Sequence, residues 1–230
     1  MINKHQKNPQ DKSEKITSME YNTLEKAYNF INKAFFGDQL PPCLITLQRK
    51  ANSAGYYSAS RFEHRKDKKT TDEIALNPAE FKNHTDMEVI STLAHEMVHL
   101  WQFHFGQPGR KCYHNKEWAE KLESIGLMPS STGEPGGHRT GQKMSDYIIP
   151  GGIFERKIKR FLDRGHKINW QSLEYSKFRK KAGETSEEAA KRIISKVKYS
   201  CTNCKQNAWA KPRAKLMCGE CRKVMLKVEK

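Results

Sequence analysis

The sequence predicts an α+β domain followed by basic helices and a small cysteine-knuckle lobe. Three observations carry that prediction. A segment with apolar residues at helical spacing precedes three short runs rich in β-branched and aromatic residues, a second and capped helical segment follows them, and four of the six cysteines form two Cys-x2-Cys pairs near the end. The length agrees: 230 residues and 26.7 kDa allow one medium domain and an appendage, at roughly 100 to 200 residues per domain. The expected organisation is a disordered N-terminus (1–15), the α+β domain (16–128), a Gly-rich connector (129–152), a basic helical region (153–197) and the cysteine lobe (198–230).

Each element has a local cause. Residues 1–15 carry too little apolar surface to offset the entropy of ordering them. From Thr17 to Phe36, Leu24, Ala27, Tyr28, Ile31 and Phe35 mark one face of a helix, and Gly37 supplies its stop. Strands are expected at Leu44–Leu47, Ala54–Phe62 and Glu73–Leu76, separated by polar stretches such as 63–72. Thr85 stands three residues before Glu88, a capping box, with Asp86 in the first turn where the helix dipole favours a carboxylate. The helix that starts there runs to about Phe105, where Gly106 and Pro108 interrupt it. Trp118, Leu122 and Ile125 then mark a further amphipathic segment. Six glycines between 129 and 152 indicate loops, with Met144–Ile149 either a short strand or a packing segment. Phe154–Leu162 and Thr185–Val197 read as basic helices bridging the domains, the second with a Thr185/Glu188 capping box.

Composition narrows the function. Lys+Arg is 42 against Asp+Glu 26, a net charge of +16, and the mean hydropathy is −0.87. No run approaches the roughly 18 to 20 apolar residues that span a bilayer, and Met1–Lys15 shows no secretory signal, so a cytoplasmic location and no membrane partner are expected. The charge is uneven: +2 over residues 1–150 and +14 over 151–230. Such a concentration is the footprint of a polyanion-binding region. Nucleotide hydrolysis is excluded, because the nearest approach to a Walker motif has Gln142 where lysine is required.

Residues 95–99 read His-Glu-Met-Val-His. Two imidazoles four positions apart on a helix differ by about 40° in projection and one turn in height, so both can grip one ion. Zinc favours nitrogen donors and tetrahedral geometry, and a catalytic site keeps one position for water, so one more protein ligand is required. Glu96, beside the two histidines, is placed to take a proton from the attacking water and pass it to a leaving amine. His104 would lie about 140° round the axis from His99 and about 180° from His95, facing away. Of His114, Glu117 and Glu120, His114 is the first choice, because a loop with Gly106, Pro108 and Gly109 can return it to the ion at the start of the next helix; Glu117 is the second.

Cys201-x2-Cys204 and Cys218-x2-Cys221, 13 residues apart, can converge as two knuckles on a single ion. Four thiolates close the coordination shell, so this second zinc is structural and the lobe reads as a zinc ribbon whose folding depends on the metal. Lys198, Lys205, Lys211, Arg213, Lys215, Arg222 and Lys223 surround the knuckles, with Trp209 among them. Cations bind phosphates and an aromatic face stacks on a base, so single-stranded or junction DNA is the expected ligand, unless Trp209 fills the small core instead. Cys43, Cys112 and the histidines at 5, 64, 84, 138 and 166 receive no functional reading.

HEMVHLWQFHFG followed by HNKEW resembles the SprT-like zinc metallopeptidases, whose pattern is HExxH, a variable loop and a third His opening the next helix. AGYYS at 54–58 and EIALNP at 73–78 are similar to that family's preceding strands, so the likeness covers roughly residues 20–127; GQKMSDYIIPGG looks like members from phages and mobile elements. The family often has Gly after the third His, where this chain has Asn115. The resemblance implies a zincin-like fold, His95, His99 and His114 as zinc ligands, Glu96 as catalytic base and, in many members, a C-terminal zinc ribbon. Relatives of the Spartan type cleave proteins crosslinked to DNA, which makes DNA-bound proteins the implied substrate. The rival readings are a non-enzymatic DNA-binding accessory protein of a mobile element with a silent or structural HExxH site, and a zinc hydrolase acting on a small molecule, which leaves the basic region unexplained.

Overall fold

The computed structural model describes residues 15–110, 113–173 and 196–228. The N-terminal tail, Cys112 and nearly all of the Thr185–Val197 segment lie outside them; Val197 itself opens a strand rather than closing a helix. The chain divides into two compact units, Met1–Ser172 and Leu173–Lys230.

The first unit begins with α1 (Ile16–Phe35), which buries Leu24, Ala27, Tyr28 and Ile31; beyond it Gly37 takes φ +64°, the left-handed turn that glycine adopts without strain. Three strands follow, β1 (Leu44–Leu47), β2 (Gly55–Glu63) and β3 (Thr70–Leu76). They pair in the order β1-β3-β2, with β1 parallel and β2 antiparallel to β3, so β2 is an edge strand. A helix, α2 (Asp86–Phe105), packs against this sheet. Its N-terminus carries the expected capping box, the Thr85 hydroxyl accepting from Glu88 N–H while the Glu88 carboxylate accepts from Thr85 N–H.

Next come α3 (Lys116–Ser124), β4 (Leu127–Ser130), β5 (Ser145–Ile148) and α4 (Ile153–Asp163). β4 and β5 form an antiparallel hairpin. The stretch read from sequence as a connector therefore contains a strand pair whose tip returns to the body of the unit. Ile90, Leu93, Met97 and Leu100 of α2 form one continuous core with Leu24 and Ile31 of α1, Ile74 and Leu76 of β3, and Trp118 and Leu122 of α3. Phe154, Ile158 and Phe161 of α4 are buried in that same core, so this basic helix belongs to the first unit and is not a bridge.

In the second unit β6 (Val197–Cys201), β7 (Asn207–Ala210) and β8 (Met225–Lys227) form an antiparallel sheet ordered β7-β6-β8. Two matching turns hold the cysteines. Lys205 N–H donates to Cys201 C=O at 3.0 Å and Arg222 N–H to Cys218 C=O at 2.9 Å. Both turn residues take left-handed φ, +61° and +49°.

Candidate metal centre and its cleft

Helix α2 sets two imidazoles one turn apart, and their ring centroids lie 5.3 Å from each other. The third arrives from the start of α3. Asn115 caps that helix, its side chain accepting from Trp118 N–H at 3.0 Å, and this fixes the chain direction at His114. The departure from His-Gly thus has a local explanation: this chain places a strong N-cap residue there. His95, His99 and His114 each present one ring nitrogen, and the three nitrogens lie within 4.8 Å of one another.

Trp118 forms the floor beneath all three rings, its centroid 4.9 Å from that of His95, 5.4 Å from His99 and 4.4 Å from His114. Two further contacts fix which nitrogens are free. His95 Nδ1 donates to Asp146 Oδ1 at 2.8 Å, with both side chains largely buried, and His114 Nδ1 donates to Gly141 C=O at 3.1 Å. Each Nε2 is thereby left as a lone-pair donor. Gly141 also exchanges backbone hydrogen bonds with His114, which ties the hairpin loop to the site.

The donor set fits a tetrahedral cation. His99 Nε2 and His114 Nε2 are 3.1 Å apart. Two imidazoles sharing a zinc ion at about 2.05 Å would place their nitrogens about 3.3 Å apart. Burial, helped by the neighbouring His95 charge, holds His99 well below the ordinary histidine range and His114 at about 4, so both imidazoles are neutral at physiological pH, the form that can donate a lone pair to a cation. For His95 burial works in the same direction, but the Asp146 hydrogen bond and the charges of Glu96 and Asp146 outweigh it and raise its pKa.

Glu96 is 6% exposed and lies with the histidines in a cleft of 380 Å³. Burial pushes its carboxyl up to about 7, opposed by the His95 charge and by a hydrogen bond from Tyr57 N–H; a cation on the histidines would draw it back down. Gly55 makes room for it. A Cβ at that position would stand 2.9 Å from Ala75 C=O, 3.0 Å from Thr92 Cγ2 and 3.3 Å from Glu96 Oε1. Asn52–Tyr57, from the approach to β2 into the strand, and Gln142–Asp146 also line the cleft.

The other sequence candidates lie elsewhere. His104 faces away as expected, bonded to Asp72 Oδ2 at 2.6 Å. Glu117 takes part in a different structure: its Oε2 accepts from Gln102 Nε2 and Gln107 N–H, both at 2.7 Å, locking the loop that follows α2. Glu120 pairs with Lys116 on the surface. Asp146, Gly141, Gly55 and Trp118 were not singled out from sequence. All four lie in quoted motifs, Asp146 and Gly141 in GQKMSDYIIPGG, Gly55 in AGYYS and Trp118 in HNKEW, but nothing in those strings says which histidine or carboxylate each one meets.

In the second unit Cys201, Cys204, Cys218 and Cys221 bring four sulfurs within 4.8 Å of one another. Cys204 Sγ and Cys218 Sγ are 3.5 Å apart, near the about 3.8 Å expected for thiolates at about 2.3 Å on a tetrahedral zinc. Hydrogen bonds from Cys204 and Asn203 N–H lower the Cys201 thiol to about 6, whereas Cys204, its Gln206 N–H bond outweighed by hydrogen bonding with Cys218 and Cys221, is raised to about 12, so the first thiolate of the cluster forms at Cys201. The surrounding Lys198, Lys205, Lys211, Arg213, Lys215, Arg222 and Lys223 are all exposed. Trp209 is 61% exposed and pairs across the strands with Lys198, so it does not fill the core, which is built on Tyr199, Cys201, Cys218 and Met225.

A cluster of three histidines, two on α2 and one at the approach to α3, with a carboxylate beside it, and a separate four-cysteine cluster define a protein equipped to hold metal ions, most suitably zinc. The SprT-like family, a metallopeptidase-like family, matches residues 24–135, and the chain belongs to it. It is also similar to a Salmonella typhimurium protein described as an uncharacterized protein in the mucB 3′ region, with 50% identity over 54 residues, covering 24% of this chain and 73% of that protein. No solved structure matches. Among the described residues no helix is long and apolar enough to cross a membrane.

Proposed function

We propose that this protein is a zinc-dependent metalloprotease of zincin-like fold that hydrolyses peptide bonds in proteins bound or crosslinked to DNA. One observation carries the reading: three histidine nitrogens within 4.8 Å of one another share a cleft with the buried carboxylate of Glu96. An ion on His95, His99 and His114 supplies polarisation of the scissile carbonyl and acidification of the attacking water. The chain's own residues do the rest. Asp146 and the Gly141 carbonyl orient two of the imidazoles, and Trp118 supports all three. Glu96, held by Tyr57 N–H, accepts the proton of the attacking water at its carboxylate and delivers it to the leaving amine nitrogen. β2 is an edge strand whose first residues line the cleft, a setting in which an extended peptide can pair with free backbone groups.

A second zinc on the four cysteines would be structural, because four thiolates leave no open position. The exposed cations around it and the uncovered Trp209 suit single-stranded or junction DNA. Tethering to DNA raises the local concentration of proteins on that DNA, so the cleft needs little sequence preference. The test is cleavage of a protein conjugated to an oligonucleotide, with and without free DNA and chelator. Wild-type protein should cleave it and lose activity with chelator, while Glu96→Gln keeps its zinc and cleaves nothing; turnover by Glu96→Gln would remove the assigned base.

A further inference from the structure

Away from the histidine cleft, α1 and α4 leave a groove of 270 Å³ lined by Phe30, Lys33, Ala34, Lys157, Arg160 and Arg164. Four of these six residues are cationic and none is acidic. We propose that this groove binds the phosphodiester backbone of nucleic acid, a contact in the first unit separate from the basic surface around the cysteines.

The helix pattern builds the site. Phe154, Ile158 and Phe161 point α4 into the core, and Lys157, Arg160 and Arg164, at i, i+3 and i+7, form a second stripe. Lys157 forms the floor: its Nζ donates to Ala34 C=O at 2.8 Å and sits 5.0 Å over the Phe35 ring. Lys33, Arg160 and Arg164 are exposed, and among the described residues none has a carboxylate within 4.0 Å. Glu155, one of two acids on α4, is turned to Gly151 N–H instead. Helix dipoles account for a cation in the last turn of each helix, Lys33 on α1 and Arg160 on α4. They do not account for four positive charges converging on one groove, an arrangement whose mutual repulsion an anion relieves.

The groove is also the wrong shape for a lone phosphate. Its cations are strung along the helix, and Lys157 to Arg164 spans about 10 Å at 1.5 Å per residue. That length covers about three phosphates of one strand of a duplex, at about 3.4 Å of helix axis each. Phe30 contributes aromatic surface to the groove wall. This inference does not depend on the peptidase reading, because it is tested by binding alone.

The experiment measures binding of a labelled single-stranded oligonucleotide to the full chain by fluorescence anisotropy, between about 50 and 200 mM salt. Arg160→Glu/Arg164→Glu should bind more weakly, and its plot of log affinity against log salt should flatten by about 1.4, the loss of two phosphate contacts on a single strand. Arg65→Glu/Lys66→Glu, an equal charge change on the turn between β2 and β3, should leave that slope unchanged. An unchanged slope in the α4 variant, or an equal flattening in both, overturns the proposal. Arg160→Ala/Arg164→Ala guards against a folding artefact and should flatten the slope equally with thermal stability intact. A parallel arm uses phosphatidylserine vesicles: a loss confined to vesicle binding would assign the groove to lipid headgroups and overturn the nucleic-acid assignment.

Discussion

The contact from Asp146 to His95 makes a quantitative demand on metal binding. Asp146→Ala leaves the His95 Nδ1–H buried without an acceptor, where the wild-type bond is 2.8 Å long and both side chains are largely hidden from water. An unsatisfied buried donor costs about 1 to 3 kcal/mol. Loss of the partner also frees the imidazole to rotate and to change tautomer. At about 1.4 kcal/mol per tenfold, that range corresponds to roughly a 5- to 150-fold loss in affinity. It brackets the about 10- to 100-fold typical when a histidine ligand loses its carboxylate partner. Asp146→Asn keeps an acceptor oxygen without the charge and should fall between alanine and wild type. The assay is competition for zinc with a chromogenic chelator, followed as two binding phases. The four-cysteine site, in the other unit, is the internal reference and should not change. If Asp146→Ala binds its weaker-held zinc within about twofold of wild type, under the roughly 5-fold lower bound, the positioning argument is wrong.

Three further outcomes follow from the same geometry. Gly55→Val places a side chain against Ala75 C=O, Thr92 and Glu96 Oε1, so cleavage should fall sharply while zinc content stays constant; a fully active variant would show that Glu96 needs no such clearance. Asn115→Ala removes the cap of α3 together with side-chain hydrogen bonds to Gln102 and Gln107, so it should cost more in chemical denaturation than the about 1 kcal/mol of a cap alone; unchanged stability would contradict this. Trp118→Ala removes a fully buried ring and should destabilise the first unit by about 3 to 5 kcal/mol, while Trp118→Phe retains part of the floor; calorimetry separates the two.

The parts of the site that share a helix were legible in the sequence. The capping box at Thr85 set the start of α2, its period put His95 and His99 on one face, and the same period turned His104 away. His114 was legible because a glycine- and proline-containing loop preceded an amphipathic segment. What stayed hidden depends on long-range pairing. Asp146 reaches His95 across 51 positions, through a hairpin whose partner strand is only four residues long, and glycine-rich sequence carries no period from which its register could be read. Glu117 is likewise held away by partners, Gln102 and Gln107, that lie on the helix and loop before it and that no spacing in the sequence indicates. Basic composition also obscured α4: Phe154, Ile158 and Phe161 carry a buried stripe, yet the surrounding cations read as a basic helix between domains. Trp209 had two readings because one aromatic residue among cations fits a small core as well as a stacking platform; only its exposure separates them.

The central claim is that imidazoles from two separate segments hold a single ion. The most direct measurement is zinc content of the purified 230-residue chain and of His114→Ala by mass spectrometry under native conditions. Two ions in the wild type and one in the variant, with the cysteine-bound ion retained, is the predicted result. Two ions in His114→Ala, or one in the wild type, would contradict it.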